Sequence, residues 1–286
     1  MFSSSNYELL DFGDGRRLER FGSFCVDRPC PTAESQSRTA PQPWQPADAH
    51  FTRTGPATGR WQSTRDFSPE WTISHGTVVL ELKLVDSGQV GVFPEQAANW
   101  DWIAAQQAAA THPLRILNLF AYTGGSTLAA AAAGATVVHV DAARTAVAWA
   151  RRNAERSDLA GAPIRWIVDD ALKFARRECK RGSEYDAVIL DPPSYGHGAG
   201  GEAWRLDQHL PELLELCGHL TARRRRFLLL TCHTPEYPAK RLQSLCADAF
   251  GTAAGRLTAG PMVLTTAGGQ QLPSGVAVRW EAIPRG

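Results

Sequence analysis

The sequence predicts an α/β protein: an open, doubly wound sheet with helices on both faces, preceded by a small β-rich domain. Two observations carry the sheet. Beyond residue 110, short apolar runs alternate with helical patterns, as in a parallel sheet crossed by helices. The first run, Leu114–Phe120, feeds an alanine-rich helix through the turn Ala121-Tyr122-Thr123-Gly124-Gly125, a join that brings a helix N-terminus to the sheet edge. A third observation separates the front of the chain, where alternating segments meet at Asp-Gly-type turns. The expected domains are 1–92, β-rich with irregular loops, and 93–286.

The elements follow in order. Residues 7–22 read as a hairpin about Gly13-Asp14-Gly15, and 28–46 as an irregular Pro-, Ser- and Thr-rich connection. A second hairpin is expected from 78–85 and 90–93 about Asp86-Ser87-Gly88. Phe93-Pro94-Glu95-Gln96 opens a helix to about 110, with proline at a permitted N-terminal position. Strands then fall at 114–120, 136–140, 164–168, 185–190 and 227–231. Helices fall at 126–133, 145–157, 172–181, 204–220 and 238–250, and a closing strand pair at 262–266 and 275–282.

Composition narrows the function classes. The formal net charge is +1, so the chain as a whole is no polycation. Two local clusters, Arg223–Arg226 and Arg176, Arg177, Lys180, Arg181, suit either phosphates or the ends of helices. No apolar run is long enough for a membrane span, and the N-terminus lacks the pattern of a secretory signal. Six cysteines (25, 30, 179, 217, 232 and 246) form no Cys-x-x-Cys pair, which argues against a zinc ribbon and suits free thiols in the cytoplasm; no metal is expected.

Three segments carry the chemistry. The turn after the first strand offers backbone donors and acceptors. Val137-Val138-His139-Val140-Asp141 ends a second strand in a carboxylate that can take a ribose diol or cap a helix. Val188-Ile189-Leu190 leads into Asp191-Pro192-Pro193-Ser194-Tyr195, where paired prolines fix the backbone and the tyrosine can stack on a planar base. Gly196, Gly198, Gly200 and Gly201 follow as a loop able to move over a pocket. The dinucleotide spacing Gly-x-Gly-x-x-Gly is absent, which weighs against a nicotinamide-dependent oxidoreductase.

In that order the segments resemble class I S-adenosylmethionine-dependent methyltransferases. Where common members carry Asp/Glu-x-Gly-x-Gly-x-Gly, this chain has Asn118, Phe120, Tyr122 and Gly124. That version resembles the ribosomal RNA large-subunit methyltransferase I and K family. So do "VVHVDAARTAVAWARRNAERSDL", "YDAVILDPPSYGHG" and "QQLPSGVAVRW", and Phe93-Pro94-Glu95-Gln96 stands where relatives have Asp-Gln-Arg. The resemblance covers roughly residues 90–286. It implies a seven-stranded methyltransferase (Rossmann-like) sheet with a closing hairpin, S-adenosyl-L-methionine as cofactor and RNA, ribosomal in particular, as partner, in a monomer or homodimer. Carried over, the cofactor residues are Gln96, Asn118, Phe120, Tyr122, Thr123, Gly124, Asp141, Asp170, Ala171 and Asp191, with Asp169 a rival of Asp170 for the adenine.

The reaction centre is expected at Asp191, Pro192, Pro193 and Tyr195. Exocyclic amines attack a sulfonium methyl given orientation and a proton acceptor. Cytosine carbon 5 needs a thiolate added at carbon 6. Thr231-Cys232-His233 stands where the family's type I has Ser-Cys-Ser, which makes Cys232 a candidate nucleophile and carbon 5 of cytosine the slightly favoured target. Nitrogen methylation of guanine or adenine, or a small-molecule or protein substrate, remains open, as does a buried structural role for Cys232.

Overall fold

The computed structural model describes the chain apart from residues 40–43, 56–57, 68–69, 198–200, 202, 253 and 284–286. It divides into two units, Met1–Ala97 with Val263–Ser274 and Ala98–Met262 with Gly275–Gly286.

In the first unit, β1 (Tyr7–Gly13), β2 (Arg16–Phe21), β3 (Phe24–Pro29), β4 (Ala49–Arg53) and β5 (Gly59–Ser63) form one sheet in that order. The turn between β1 and β2 is Gly13-Asp14-Gly15, and Asp14 and Gly15 take the left-handed conformation that a tight hairpin needs. β3 and β4 pair in parallel, so the long connection between them is a crossover and not a hairpin. The second expected hairpin is displaced. β6 (Thr72–His75) pairs with β7 (Val78–Glu81) about Gly76, whose φ of +57° suits the first position of a two-residue loop. The turn at residues 86–88 is closed instead by Lys83 donating to Val90 O and Val85 to Gln89 O. This unit also buries charge: Glu19 accepts from the Tyr7 hydroxyl at 2.9 Å and from Arg28 Nε at 2.5 Å. Burial pushes the Glu19 carboxyl up, but the Arg17 and Arg28 guanidiniums outweigh it and hold it below its ordinary value.

The second unit alternates as expected: α1 (Ala97–Ala108), β8 (Arg115–Leu119), α2 (Gly125–Ala132), β9 (Thr136–Asp141), α3 (Arg144–Arg156), β10 (Ile164–Val168), α4 (Ala171–Lys180) and β11 (Ala187–Leu190). A small hairpin, β12 (Tyr195–His197) with β13 (Ala203–Arg205), comes next and was not anticipated. It delays α5 to Leu206–Thr221. β14 (Phe227–Cys232), α6 (Ala239–Phe250), β15 (Gly255–Thr265) and β16 (Gln271–Ala282) complete the chain.

The seven-stranded sheet runs β10-β9-β8-β11-β14-β16-β15, with β16 antiparallel to β14. Its central strands, Ala-Val-Ile-Leu and Phe-Leu-Leu-Leu-Thr-Cys, are buried throughout because helices cover both faces. The edge strand β10 leaves Arg165 and Val168 exposed. Strand order reverses between β8 and β11, and in such a sheet the crevice lies beyond the C-terminal ends of those two strands.

Candidate active site

Three residues of the turn after β8 alternate into the left-handed region: Phe120 at φ +57°, Tyr122 at +49° and Gly124 at +92°. These are the places where common relatives carry glycine, so the chain keeps a glycine backbone without glycine at two of three positions. Bulky residues there cost on the order of 1–3 kcal/mol each and persist only where their surroundings hold them. The surroundings are visible. Ala121 N–H donates to Val140 O at 3.1 Å, Tyr122 N–H to Asp141 Oδ2 at 2.8 Å, and Asn153 of α3 donates to Thr123 O at 2.9 Å. Phe120 packs its ring on Trp204, 4.8 Å between centroids. Gly124 has a second reason to be glycine, since a Cβ there would stand 3.0 Å from that of Ala150. Thr123 is buried, and its carbonyl serves α3.

Asp141, at the end of β9, accepts from Tyr122 and Ala143 N–H, each at 2.8 Å. Burial still raises its carboxyl above the ordinary value, against the pull of those two donors. Each oxygen keeps a lone pair for a hydroxyl, which suits a diol. After β10, Asp170 caps α4 through Lys173 N–H at 2.9 Å, with Ala171 buried as the first helical residue. Its neighbour Asp169 pairs with Arg177 and accepts from Asp170 N–H, so the rivals are both engaged at the head of α4.

Asn118 stands on β8 itself, one residue before its end. It is buried and donates to Thr127 Oγ1 at 2.8 Å, tying β8 to α2 inside the unit. The Thr127 hydroxyl, 2.9 Å from His139 Nδ1, then has its own proton for that nitrogen, which fixes a neutral ring with its proton on Nε2. Nε2 is buried with no hydrogen-bond partner among the described residues. Burial first, and Arg151 second, push the ring down to about 3. Gln96 is buried at the end of the 3-10 turn Pro94–Gln96 and belongs to the first unit.

At the end of β11, Asp191 Oδ1 accepts from the Thr231 hydroxyl at 2.7 Å and lies 3.5 Å from His233 Nε2. Ser194 and Thr234 hydroxyls bond at 2.6 Å, joining the segments that follow β11 and β14. Of the two proline carbonyls, Pro193 O takes the Trp204 indole N–H at 2.7 Å, so only Pro192 O takes no donor among the described residues. Tyr195 is 58% exposed. Gly198 and Gly200 lie outside the described residues.

Cys232 is a different matter. Successive side chains on a strand face opposite ways. Thr231 is turned to Asp191, and Cys232, 1% exposed, joins the core cluster with Leu228, Leu230 and Tyr237. Burial raises the thiol above its ordinary value, the Asp191 and Glu236 charges add to the rise, and hydrogen bonds from Thr234 oppose it. A neutral thiol in the core is a poor nucleophile.

A model of the S-adenosylmethionine-dependent methyltransferase family matches residues 38–226. The chain belongs to that family. The methyltransferase is 38% identical to the SAM-dependent methyltransferase from Agrobacterium tumefaciens, whose crystal structure aligns at a TM-score of 0.91 over 98% of this chain and 92% of that one. A SAM-dependent methyltransferase from Streptococcus mutans shares the fold at a TM-score of 0.76, with 15% identity over 97% of this chain and 75% of that one. Among curated proteins, ribosomal RNA large subunit methyltransferase I of Aeromonas salmonicida is 32% identical over 124 residues, 43% of this chain and 30% of that protein. Methyltransferase K/L of Hahella chejuensis is 30% identical over 139 residues, 48% and 18% of the two chains. The match thus spans under a third of either curated relative.

The residues fit the family's cofactor, S-adenosylmethionine. The turn after β8 holds the left-handed backbone of its glycine-type positions, and Asp141 is a largely desolvated carboxylate that takes one backbone donor on each oxygen, which leaves acceptor capacity for a diol. Sequence reasoning missed the groups that brace the site: Thr231, Asn153 and Trp204. The Arg223–Arg226 run lies away from the site, whereas Arg177 reaches the head of α4 through Asp169. Arg223 pairs with Glu184 and Arg224 with Asp186, while Arg225 donates to Gly218 O and Phe250 O. All precede β14, six residues or roughly 20 Å of strand from its C-terminal end. Arg176, Arg177 and Arg181 pair with Glu212, Asp169 and Glu178.

Proposed function

We propose that this methyltransferase acts on an amine nitrogen of a base in RNA, ribosomal RNA in the first place, using Asp191, Pro192 O and Tyr195 to hold the base. When bound, the cofactor supplies an electrophilic methyl group. The chain's part is to hold the amine. Asp191 and Pro192 O are two acceptors for its two N–H donors, and an exposed tyrosine offers a face to the ring. The observation that carries the nitrogen chemistry is the one-residue alternation on β14: Thr231 braces Asp191 and Cys232 is turned into the core. The alternative, cytosine carbon 5, depends on a Cys232 thiolate that burial disfavours. The RNA half rests on the names of the matched relatives, both ribosomal RNA large subunit methyltransferases. Asp141 is assigned to the ribose, the 120–124 backbone to the methionine end, and Asp170 with Ala171 to the adenine.

Tritiated methyl transfer to total RNA, followed by nucleoside analysis, tests the proposal. Label in a methylated purine, kept in Cys232→Ala and lost in Asp191→Asn, is the expected result. Label in 5-methylcytosine that disappears in Cys232→Ala would overturn the nitrogen chemistry, and cofactor binding without RNA label would overturn the RNA.

A further inference from the structure

We propose that Asp191 and His233 form a proton-accepting pair that clears the proton released by methyl transfer, an inference that rests on the amine reading above. Three features place them together. Both stand at the C-terminal ends of neighbouring parallel strands, β11 and β14, paired in register Leu190 to Leu230. His233 Nε2 is 3.5 Å from Asp191 Oδ1, and the Thr231 hydroxyl, 2.7 Å from the same oxygen, fixes the carboxylate. Both side chains are partly exposed, 29% for Asp191 and 35% for His233, so the pair connects the crevice to water.

The step balances as follows. The amine lone pair forms the N–CH3 bond while the S–CH3 pair returns to sulfur, leaving a methylated nitrogen with one proton too many. That proton passes to the Asp191 carboxylate, then to His233 Nε2, and the ring gives it to solvent. Each transfer runs toward the stronger base, since a protonated aryl amine is more acidic than a carboxylic acid and imidazolium is weaker still, with carboxyl and imidazole references near 3.9 and 6.5. His233 acts through Asp191 and is therefore a positioning residue. The charges of Asp191 and of Glu236, on the segment after β14, both reach the neighbouring Cys232 thiol. Burial raises that thiol above its ordinary value. From β16, Gly275 comes close to the ring: a Cβ there would stand 3.0 Å from His233 Nδ1.

The test measures single-turnover methyl transfer from pH 5.5 to 9 for wild type, His233→Gln and His233→Ala, alongside NMR titration of the His233 ring in wild type and Asp191→Asn. The expected wild-type rate rises with pH through the imidazole range. His233→Gln should lose that limb and slow on the order of 10²-fold at neutral pH, with S-adenosylhomocysteine affinity unchanged and His233→Ala partly rescued by added imidazole. Asp191→Asn should lower the midpoint of the His233 titration. An acid limb that survives in His233→Gln, or a ring midpoint indifferent to Asp191→Asn, would overturn the pair. If the wild type labels no RNA, the amine reading fails by itself, and the ring titration still decides whether the two side chains are coupled.

Discussion

His139 is the residue whose titration the fold should make visible. It sits at full burial on β9, with Nδ1 accepting from Thr127 and a ring pushed down to about 3 from 6.5, mainly by burial and secondarily by Arg151. The folded value lies below the unfolded one, so the unfolded chain binds a proton that the folded chain refuses. Stability from this group is whole above 6.5 and is lost as pH falls toward 3, at about 1.4 kcal/mol per pH unit. By pH 5 the loss is about 2 kcal/mol, a substantial part of a stability of 5–15 kcal/mol typical of proteins. His139→Asn keeps an acceptor for the Thr127 hydroxyl and cannot titrate. Urea unfolding of both proteins at pH 8, 7, 6 and 5, at fixed ionic strength, isolates the term as the difference in slope with pH. The variant should be the less stable at pH 8 and close the gap by about 2 kcal/mol at pH 5. Parallel stability curves would refute the reasoning, because they would mean that the buried ring takes its proton as readily as the unfolded one.

Three further outcomes are expected. Gly124→Ala combines a φ of +92° with a contact of 3.0 Å to Ala150, and should destabilise by about 2 kcal/mol in the same unfolding assay. Asp141→Asn removes a charged acceptor and should weaken S-adenosylhomocysteine binding by roughly 10- to 100-fold by calorimetry, since hydrogen bonds to charged groups contribute about 1.5–3 kcal/mol. Replacing Arg223 and Arg226 by glutamine should leave the salt dependence of RNA binding unchanged, because both precede β14 at the end remote from Asp191; a flatter slope of affinity against salt would place RNA on that edge.

The sheet was readable because its signals are local. Each apolar run of four to seven residues followed by a helical period is visible in a window, and the order of three motifs set the topology. Single residues were harder. Sequence rules associate a left-handed backbone with glycine, and neither Phe120 nor Tyr122 announces one; the conformation comes from Val140, Asp141 and Asn153, which are distant in sequence. The partner of Asn118, Thr127, is set by how α2 lies on β8 and is not legible in a sequence window. Cys232 drew attention by type, while its direction depended on strand phase. In the first unit, the charged strand Arg-Arg-Leu-Glu-Arg-Phe holds Glu19 at full burial because Arg28 from the next strand meets it, a pairing no sequence window shows.

The aromatic contact between Phe120 and Trp204 has a bearing on how this enzyme can be altered. A glycine at 120 would leave the turn after β8 and the segment after β11 as two independent pieces. With phenylalanine there, one tilted ring contact and one indole hydrogen bond connect the turn after β8 to Pro193 O. If the proposed roles hold, shortening either aromatic disturbs the segment assigned to the methyl donor and the segment assigned to its acceptor in the same stroke. Variants at these two positions should not separate into binding defects and turnover defects: affinity for the donor and the rate of transfer will move as one property.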